Sequence, residues 1–257
     1  MPGTGAGPGG VQSVVRAFRI LDVLAEADGE LSISELAVAV DLPQPTIHRI
    51  VATLRELGHA HQVTNRRYTL GPRLIGLGDR ASRVLGVRAG DDLRAVAERF
   101  GETANMAVLD GERAVYTAQV PGPHSMRTFT EVGRRVSPHC TAVGKALLSR
   151  MPVERAREVL RHTDFVRHTD NTITSPEEYF AELDKVRAAG YAVDEGEQEL
   201  GVRCVAVALD GPLPAAVSIS GPTTRMTDAL LDSAVPKLRS VADALVAELA
   251  RQDAAGV

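Results

Sequence analysis

Between His139 and Lys145 the chain reads His-Cys-Thr-Ala-Val-Gly-Lys, a loop of small residues that runs straight into an apolar helical pattern. The first N–H groups of a helix lack intrahelical partners and sit at the positive end of its dipole, so this loop is suited to hold an anion such as a carboxylate. Farther on, Asp194-Glu195-Gly196-Glu197-Gln198-Glu199-Leu200-Gly201-Val202-Arg203-Cys204 puts Asp194 at the end of one extended segment and Cys204 inside the next. An ionised Asp194 would accept a hydrogen bond from a ligand hydroxyl and repel a second carboxylate. The acids at 195, 197 and 199 read as a solvated surface run. Ser218 and Ser220, two apart on a strand, share a face and add hydroxyl donors. His139 beside Cys140 invites two other chemistries: a cysteine nucleophile with an imidazole base, or a zinc ion held with Cys204 and Asp194. Neighbours on an extended chain point apart, which weighs against the first, and the second needs four converging ligands. Cys204, in a Val/Ala-rich strand, reads by itself as a small core hydrophobe.

A second cluster is basic. From Pro43 to Arg73 there are Arg49, Arg55, Arg66, Arg67 and Arg73 against the single acid Glu56, in a chain whose formal net charge is -4. Phosphate neutralisation needs lysine or arginine, so a local basic patch in an acidic chain is an electrostatic footprint for nucleic acid.

The elements that must position these residues follow from periodicity. Val14, Val15, Phe18, Leu21, Val23 and Leu24 recur at helical spacing over about 12–27 and end at Asp28-Gly29. Ser32 three residues before Glu35 is a capping box for a short helix that stops near Asp41. Pro43 and Pro45 suit the first turn of the next helix, whose stripe of Ile47, Ile50, Val51, Leu54 and Leu57 ends at Gly58. That stripe leaves Gln44, Thr46, His48, Arg49 and Thr53 facing away from the core. Two extended pieces around 59–63 and 67–70 flank Thr64-Asn65-Arg66, a hairpin with Arg66 and Arg67 at its tip. This order is that of a winged helix-turn-helix, with the last helix in the major groove and the wing on flanking phosphate or minor groove. Gln44, Thr46, His48, Arg49, Thr53, Arg66 and Arg67 are the candidate DNA contacts, with Gln44, Thr46 and Arg49 reaching base edges and the two wing arginines holding the backbone.

A linker helix follows over 73–89, then an α/β pattern: a helix over 91–100, strands near 103–109 and 112–120, an extended piece over 126–131, and a helix from about Thr141. Helices over 153–161 and 176–189, strands at 191–193, 202–209 and 215–220, and a closing helix over 227–250 complete it. The expected organisation is a tail at 1–10, a DNA-binding domain at 11–72, the linker, an effector domain at 90–251 and a tail at 252–257. The 44% hydrophobic and 24% charged content is globular, and no apolar run approaches the roughly 18 residues that span a bilayer. Two separated cysteines without CxxC spacing, and no basic-plus-apolar leader, predict a soluble cytoplasmic chain without a disulfide framework.

Taken in order, SISELAVAVDLPQPTIHRIVATLRELG, the wing NRRYTLGPRL, HCTAVGKALL, GYAVDEGEQELGVRCVAV and AAVSISGPTTR resemble the IclR-type transcription regulators over residues 11–251. The resemblance implies an α+β chain: a winged helix-turn-helix, a linker helix used in dimerisation, and a GAF-like effector domain with an antiparallel sheet. It places effector contacts on Thr141, Ala142, Val143, Asp194, Cys204, Ser218 and Ser220. GETANMAV and SMRTFTEVGRRVSPH are most similar to the allantoin and glyoxylate utilisation repressors. The chain departs from them by a shorter hairpin between Cys204 and Ser218 and by Cys-Thr after His139. The expectation is a repressor, not an enzyme, that binds double-stranded operator DNA as a homodimer or dimer of dimers. It uses no cofactor or metal and answers to a small carboxylate such as a 2-oxo acid. The alternatives are a zinc- or redox-responsive regulator using Cys140 and Cys204, and a hydrolase-like enzyme with an accessory DNA domain.

Overall fold

The computed structural model describes residues 10–27, 29–84, 89–124, 131–211 and 213–254, and the chain divides into two compact units, Met1–Ala81 and Ser82–Val257. In the first unit, helices α1 (Gln12–Glu26), α2 (Ile33–Val40) and α3 (Gln44–Glu56) precede a hairpin of β1 (Ala60–Gln62) and β2 (Tyr68–Leu70) and helix α4 (Arg73–Val84). The capping box forms as the sequence predicts: Ser32 Oγ accepts from Glu35 N at 3.3 Å, and the Glu35 carboxylate accepts from Ser32 N at 2.7 Å. α2 stops because Asp41 turns left-handed at φ 53°, a conformation that Asp tolerates better than most residues. Only Leu42 and Pro43 then separate that cap from α3. Ile20, Leu24, Leu36, Val40, Ile47, Val51 and Tyr68 close the core between the helices and the hairpin. One strand-like contact lies outside the local pattern: Leu31 bridges Tyr68 through two backbone hydrogen bonds of 2.9 and 2.8 Å. Of the expected linker helix, residues 85–88 lie outside the described residues.

The second unit is built on one antiparallel sheet ordered β5-β4-β3-β8-β7-β6. Its strands are β3 (Thr103–Asp110), β4 (Arg113–Val120), β5 (Arg135–Val136), β6 (Ala192–Asp194), β7 (Val202–Ala208) and β8 (Ala215–Pro222). The helices are α5 (Gly90–Phe100), α6 (Ala142–Ser149), α7 (Val153–Leu160), α8 (Pro176–Ala189) and α9 (Asp228–Ala254). Alternate strand residues face opposite sides. Met106, Val108, Val205, Val207, Val217 and Ile219 pack with α5 and α9. Ala107, Ala206, Ala216 and Cys204 face Val143, Ala146 and Leu147 of α6. The small side chains on that second face let α6 approach closely. Most of the extended piece expected over 126–131 lies outside the described residues; a short β5 follows it at Arg135–Val136.

One irregularity changes which side chains reach the α6 face. β4 shifts by one residue against β3 between Met106 and Ala107, so Ala118 pairs with Met106 but Tyr116 pairs with Ala107. Thr117 is the extra residue of this bulge, and it turns Tyr116 onto the α6 face.

Ser32→Ala removes the hydroxyl that caps α2 and should lower the stability of the first unit by about 1 kcal/mol. Urea unfolding followed by circular dichroism measures it, and an unchanged midpoint would show that the cap contributes nothing.

Candidate functional site

α3 buries Ile47, Val51 and Leu54 against the core, and its candidate contacts divide between two edges of the exposed side. Thr46, Arg49 and Thr53 stand on the edge that borders an apolar groove with Val14 and Phe18 of α1. Gln44 lies on the other, beside Val38 and Asp41 of α2, and His48 is exposed. Thr53 Oγ1 donates back to Arg49 O at 3.1 Å. In the wing, Arg66 is exposed and holds φ 57°. Arg67 behaves differently from its neighbour: its guanidinium donates to Glu30 O at 2.6 and 3.0 Å and pairs with Glu35 at 2.9 Å. The capping carboxylate of α2 therefore anchors the base of the wing, which takes Arg67 away from the tip where the sequence placed it.

In the second unit the register brings Asp194, Cys204, Ser220 and Thr103 into one row across four strands. Asp194, Cys204 and Ser220 border a cleft whose other walls are Thr141 and Ala142 at the start of α6, Tyr116 and Val136 from β4 and β5, and Arg134, Gln198, Glu199 and Val202. The cleft holds about 50 Å³, room for about three to five water-sized groups at roughly 10–15 Å³ each. Two expected members stand back from it. Val143 packs its side chain into the core beneath α6, so it can offer the helix start only its backbone N–H. Ser218 is fully buried, with its hydroxyl beside the Cys204 thiol.

The start of α6 is shaped by four contacts. Thr141 Oγ1 accepts from Gly144 N at 3.3 Å and donates to Ser137 O at 3.0 Å, leaving the Ala142 and Val143 N–H groups as the helix's unpaired donors. Gly144 lies against Pro138 so closely that a Cβ would overlap the proline's Cα and carbonyl. Tyr179 Oη donates to that same Pro138 carbonyl at 2.8 Å. The 195–198 loop is held from below: Thr169 and Thr172 hydroxyls donate to Gly196 O and Glu197 O, each at 2.7 Å, and Asn171 Nδ2 to Glu195 O at 2.7 Å.

That clamp overturns the solvated-run reading of Glu197. Gly196, at φ +74°, turns the chain so that Glu197 points inward, where it pairs with the buried Lys145 Nζ at 2.5 Å. Burial raises the Glu197 carboxyl, and the Lys145 charge works against that rise.

The electrostatics of the cleft favour neutral groups. Burial pushes Asp194 up to about 7, with the Glu197 charge adding to the rise and the 2.7 Å hydrogen bond from Glu197 N opposing it. Burial raises the Cys140 thiol to about 12 and the Cys204 thiol beyond the usual thiol range, the Asp194 charge adding to both. Two protonated thiols are poor nucleophiles and poor redox sensors. His139 is lowered by burial, and both ring nitrogens are occupied, Nδ1 by Ser137 Oγ at 2.7 Å and Nε2 by Val166 O at 3.1 Å. Among the described residues, His139 and Cys140 group with His168, their ligand atoms within 4.8 Å, and not with Cys204 and Asp194 as the zinc alternative requires. The Cys140 thiol donates instead to Gln198 Oε1 at 2.9 Å.

A helix-turn-helix with a wing, followed by this sheet and cleft, has counterparts. Residues 13–64 match the family described as the IclR helix-turn-helix domain, and residues 84–247 match the bacterial transcriptional regulator IclR C-terminal family. The chain belongs to the IclR family of transcriptional regulators. The transcriptional repressor IclR of Escherichia coli (strain K12) is 34% identical over 233 residues, 88% of this chain and 85% of that one. The crystal structure of Thermotoga maritima IclR has a TM-score of 0.78 at 31% identity, covering 93% of this chain and 98% of the other. An IclR homologue from Microbacterium hydrocarbonoxydans complexed with 4-hydroxybenzoate shares the fold, with a TM-score of 0.77 at 22% identity over 93% and 99% of the two chains. The IclR family and its members are regulators, not enzymes. No helix among the described residues is long and apolar enough to cross a membrane.

Sequence reasoning passed over Tyr116, Arg134, Gln198 and Lys145. Tyr116 depends on a bulge that alternation hides, and Lys145 looks like an ordinary solvated lysine. One signal was available: Gly144-Lys145 within an otherwise apolar helix start asks why a glycine and a charge stand there.

Gly144→Ala should force Pro138 away from α6 and destabilise the second unit by about 1–3 kcal/mol. Differential scanning calorimetry reads this as a lower transition temperature, and an unshifted transition would mean that the contact relaxes freely.

Proposed function

We propose that this IclR-family regulator is a repressor whose operator binding is controlled by a small monocarboxylate seated between α6 and the sheet. The observation that carries the reading is the convergence on one small cleft of an open helix start, a serine hydroxyl and a buried carboxyl. The Ala142 and Val143 N–H groups and the Ser220 hydroxyl are donors suited to a carboxylate. A volume of about 50 Å³ favours ligands of a few heavy atoms such as glyoxylate or another 2-oxo acid.

For DNA, residues 11–72 act as the reader and residues 90–251 as the sensor. Gln44, Thr46, His48, Arg49 and Thr53 are the groove contacts, and Arg66 meets the backbone. Arg67 contributes by holding the wing to α2. Phe18 is 61% exposed and Val14 51% exposed on α1, apolar side chains suited to meeting a second copy of the chain. A two-fold dimer would read a palindromic operator with half-sites one helical turn or a multiple apart. Such a regulator works in the cytoplasm, where its operator is.

Arg49→Ala should relax sequence preference by roughly 1–3 kcal/mol at one base position. Arg66→Ala should weaken all duplexes alike and reduce the salt slope by about one. Fluorescence anisotropy with operator and scrambled duplexes separates them; wild-type behaviour in both variants would reject the assignment.

Asp194 yields a pH prediction. Its folded pKa of about 7 lies above the ordinary 3.8, so its protonated form favours the folded unit at low pH and that contribution is lost as pH rises through 7. A ligand anion beside it raises the carboxyl further, so binding takes up a proton. Glyoxylate affinity should hold steady below pH 7 and fall up to tenfold per unit above it, while Asp194→Asn should flatten the profile. Calorimetric titration from pH 6 to 8.5 tests this. A flat wild-type profile would remove Asp194 from the site, and absence of heat with any 2-oxo acid would reject the ligand class.

A further inference from the structure

The wall of the cleft opposite α6 hides a line of amides behind the Ser220 hydroxyl. Asn105, on β3, is 1% exposed. Its Nδ2 donates to Ser220 Oγ at 3.2 Å, and its Oδ1 accepts from Gln119 Nε2 of β4 at 3.2 Å. Gln119 and Asn105 are cross-strand partners, and Asn105 lies diagonally across from Ser220, which pairs with Thr103. All these side chains stand on the α6 face of the sheet.

Hydrogen-bond polarity along this line has one consistent direction. Gln119 presents N–H to Asn105, which must answer with oxygen; its NH₂ group is thereby turned to Ser220. A second acceptor favours the same orientation: Thr103 O stands 3.5 Å from Asn105 Nδ2. An inverted amide would set Oδ1 against that carbonyl. Ser220 Oγ, already accepting from Asn105, keeps its own O–H to give, and Ser220 borders the cleft. A hydroxyl has one proton and two lone pairs and rotates to suit its surroundings; here the amide behind it takes one lone pair and turns the proton away from Asn105, free to point into the cleft.

We propose that Asn105, oriented by Gln119 and Thr103 O, is a positioning residue that fixes Ser220 as a hydrogen-bond donor and so makes the cleft select ligands presenting an acceptor oxygen there. This rests on the monocarboxylate reading above and deepens it. Without Asn105, Ser220 is free to turn its proton elsewhere, and the donor is no longer pre-set when the ligand arrives. Gln119 acts one step farther out, with Thr103 O still holding part of the orientation, so its loss costs less.

The test is a double-mutant cycle on the full-length protein, with glyoxylate, pyruvate and acetate as probes in calorimetric titrations. Asn105→Ala should weaken the best of these about tenfold in the Ser220 background and have no further effect in Ser220→Ala. Gln119→Ala, at a half-buried position, should weaken it about threefold and likewise lose its effect in Ser220→Ala. Each variant is compared with wild type by thermal unfolding and by operator binding without ligand, so that a variant that has lost its fold is recognised and Gln119→Ala then decides. An equal effect of Asn105→Ala or Gln119→Ala in both backgrounds would overturn the proposal and leave the carboxylate reading standing. Absence of heat from all three probes with wild type would overturn both.

Discussion

Lys145 is 1% exposed on its side chain, and an ammonium withdrawn that far from water must meet a carboxylate. Glu197 supplies it, with Glu182 of α8 a further 3.8 Å contact. This pairing joins α6 to the 194–201 loop, and both elements line the cleft. The clamp of Thr169 and Thr172 on the backbone of that loop, and the seat of Gly144 on Pro138, keep both sides in place. Desolvation makes such a pair a weak source of net stability. Its value here is geometric, since neither charge can be satisfied unless loop and helix meet in one arrangement.

The same burial explains why the cleft is chemically quiet. Low polarity keeps both thiols protonated and holds Asp194 near 7. A site of this kind has no activated nucleophile, yet it carries many fixed donors and acceptors. Recognition then depends on which way each hydroxyl and amide points, and the Gln119–Asn105–Ser220 line is where the sheet controls that direction. A regulator benefits from such a site, because binding must change an equilibrium without consuming the ligand.

The DNA-reading unit obeys a more local logic. Its boundaries come from a capping box, a left-handed Asp41 and a hairpin whose tip carries two residues of positive φ. One side chain breaks that locality: Arg67 reaches across to the α2 cap and couples the wing to the helix-turn-helix. The unit that holds the operator is thus stiffened by the carboxylate that starts its second helix.

The sequence by itself determined what depends on neighbours along the chain. Helix starts at Ser32, Pro43 and Thr141, the stripe of Ile47, Val51 and Leu54, and the strands around Asn105, Cys204 and Ser218 were legible because caps, turns and periodicity act over a few residues. Thr141, Ala142, Asp194, Cys204 and Ser220 were also legible, through the family resemblance, and the structure brings them to one cleft. The tertiary structure alone decided the rest. Tyr116 reaches the cleft through a one-residue bulge, Glu197 turns inward to a lysine 52 positions away, and Asn105 meets a serine 115 positions away. Arg67 is drawn from the wing tip by a carboxylate 32 residues before it. Burial, and with it the protonation of Asp194 and the two thiols, belongs to this second class, because the water a residue loses is removed by chain segments that its own sequence neighbourhood does not contain.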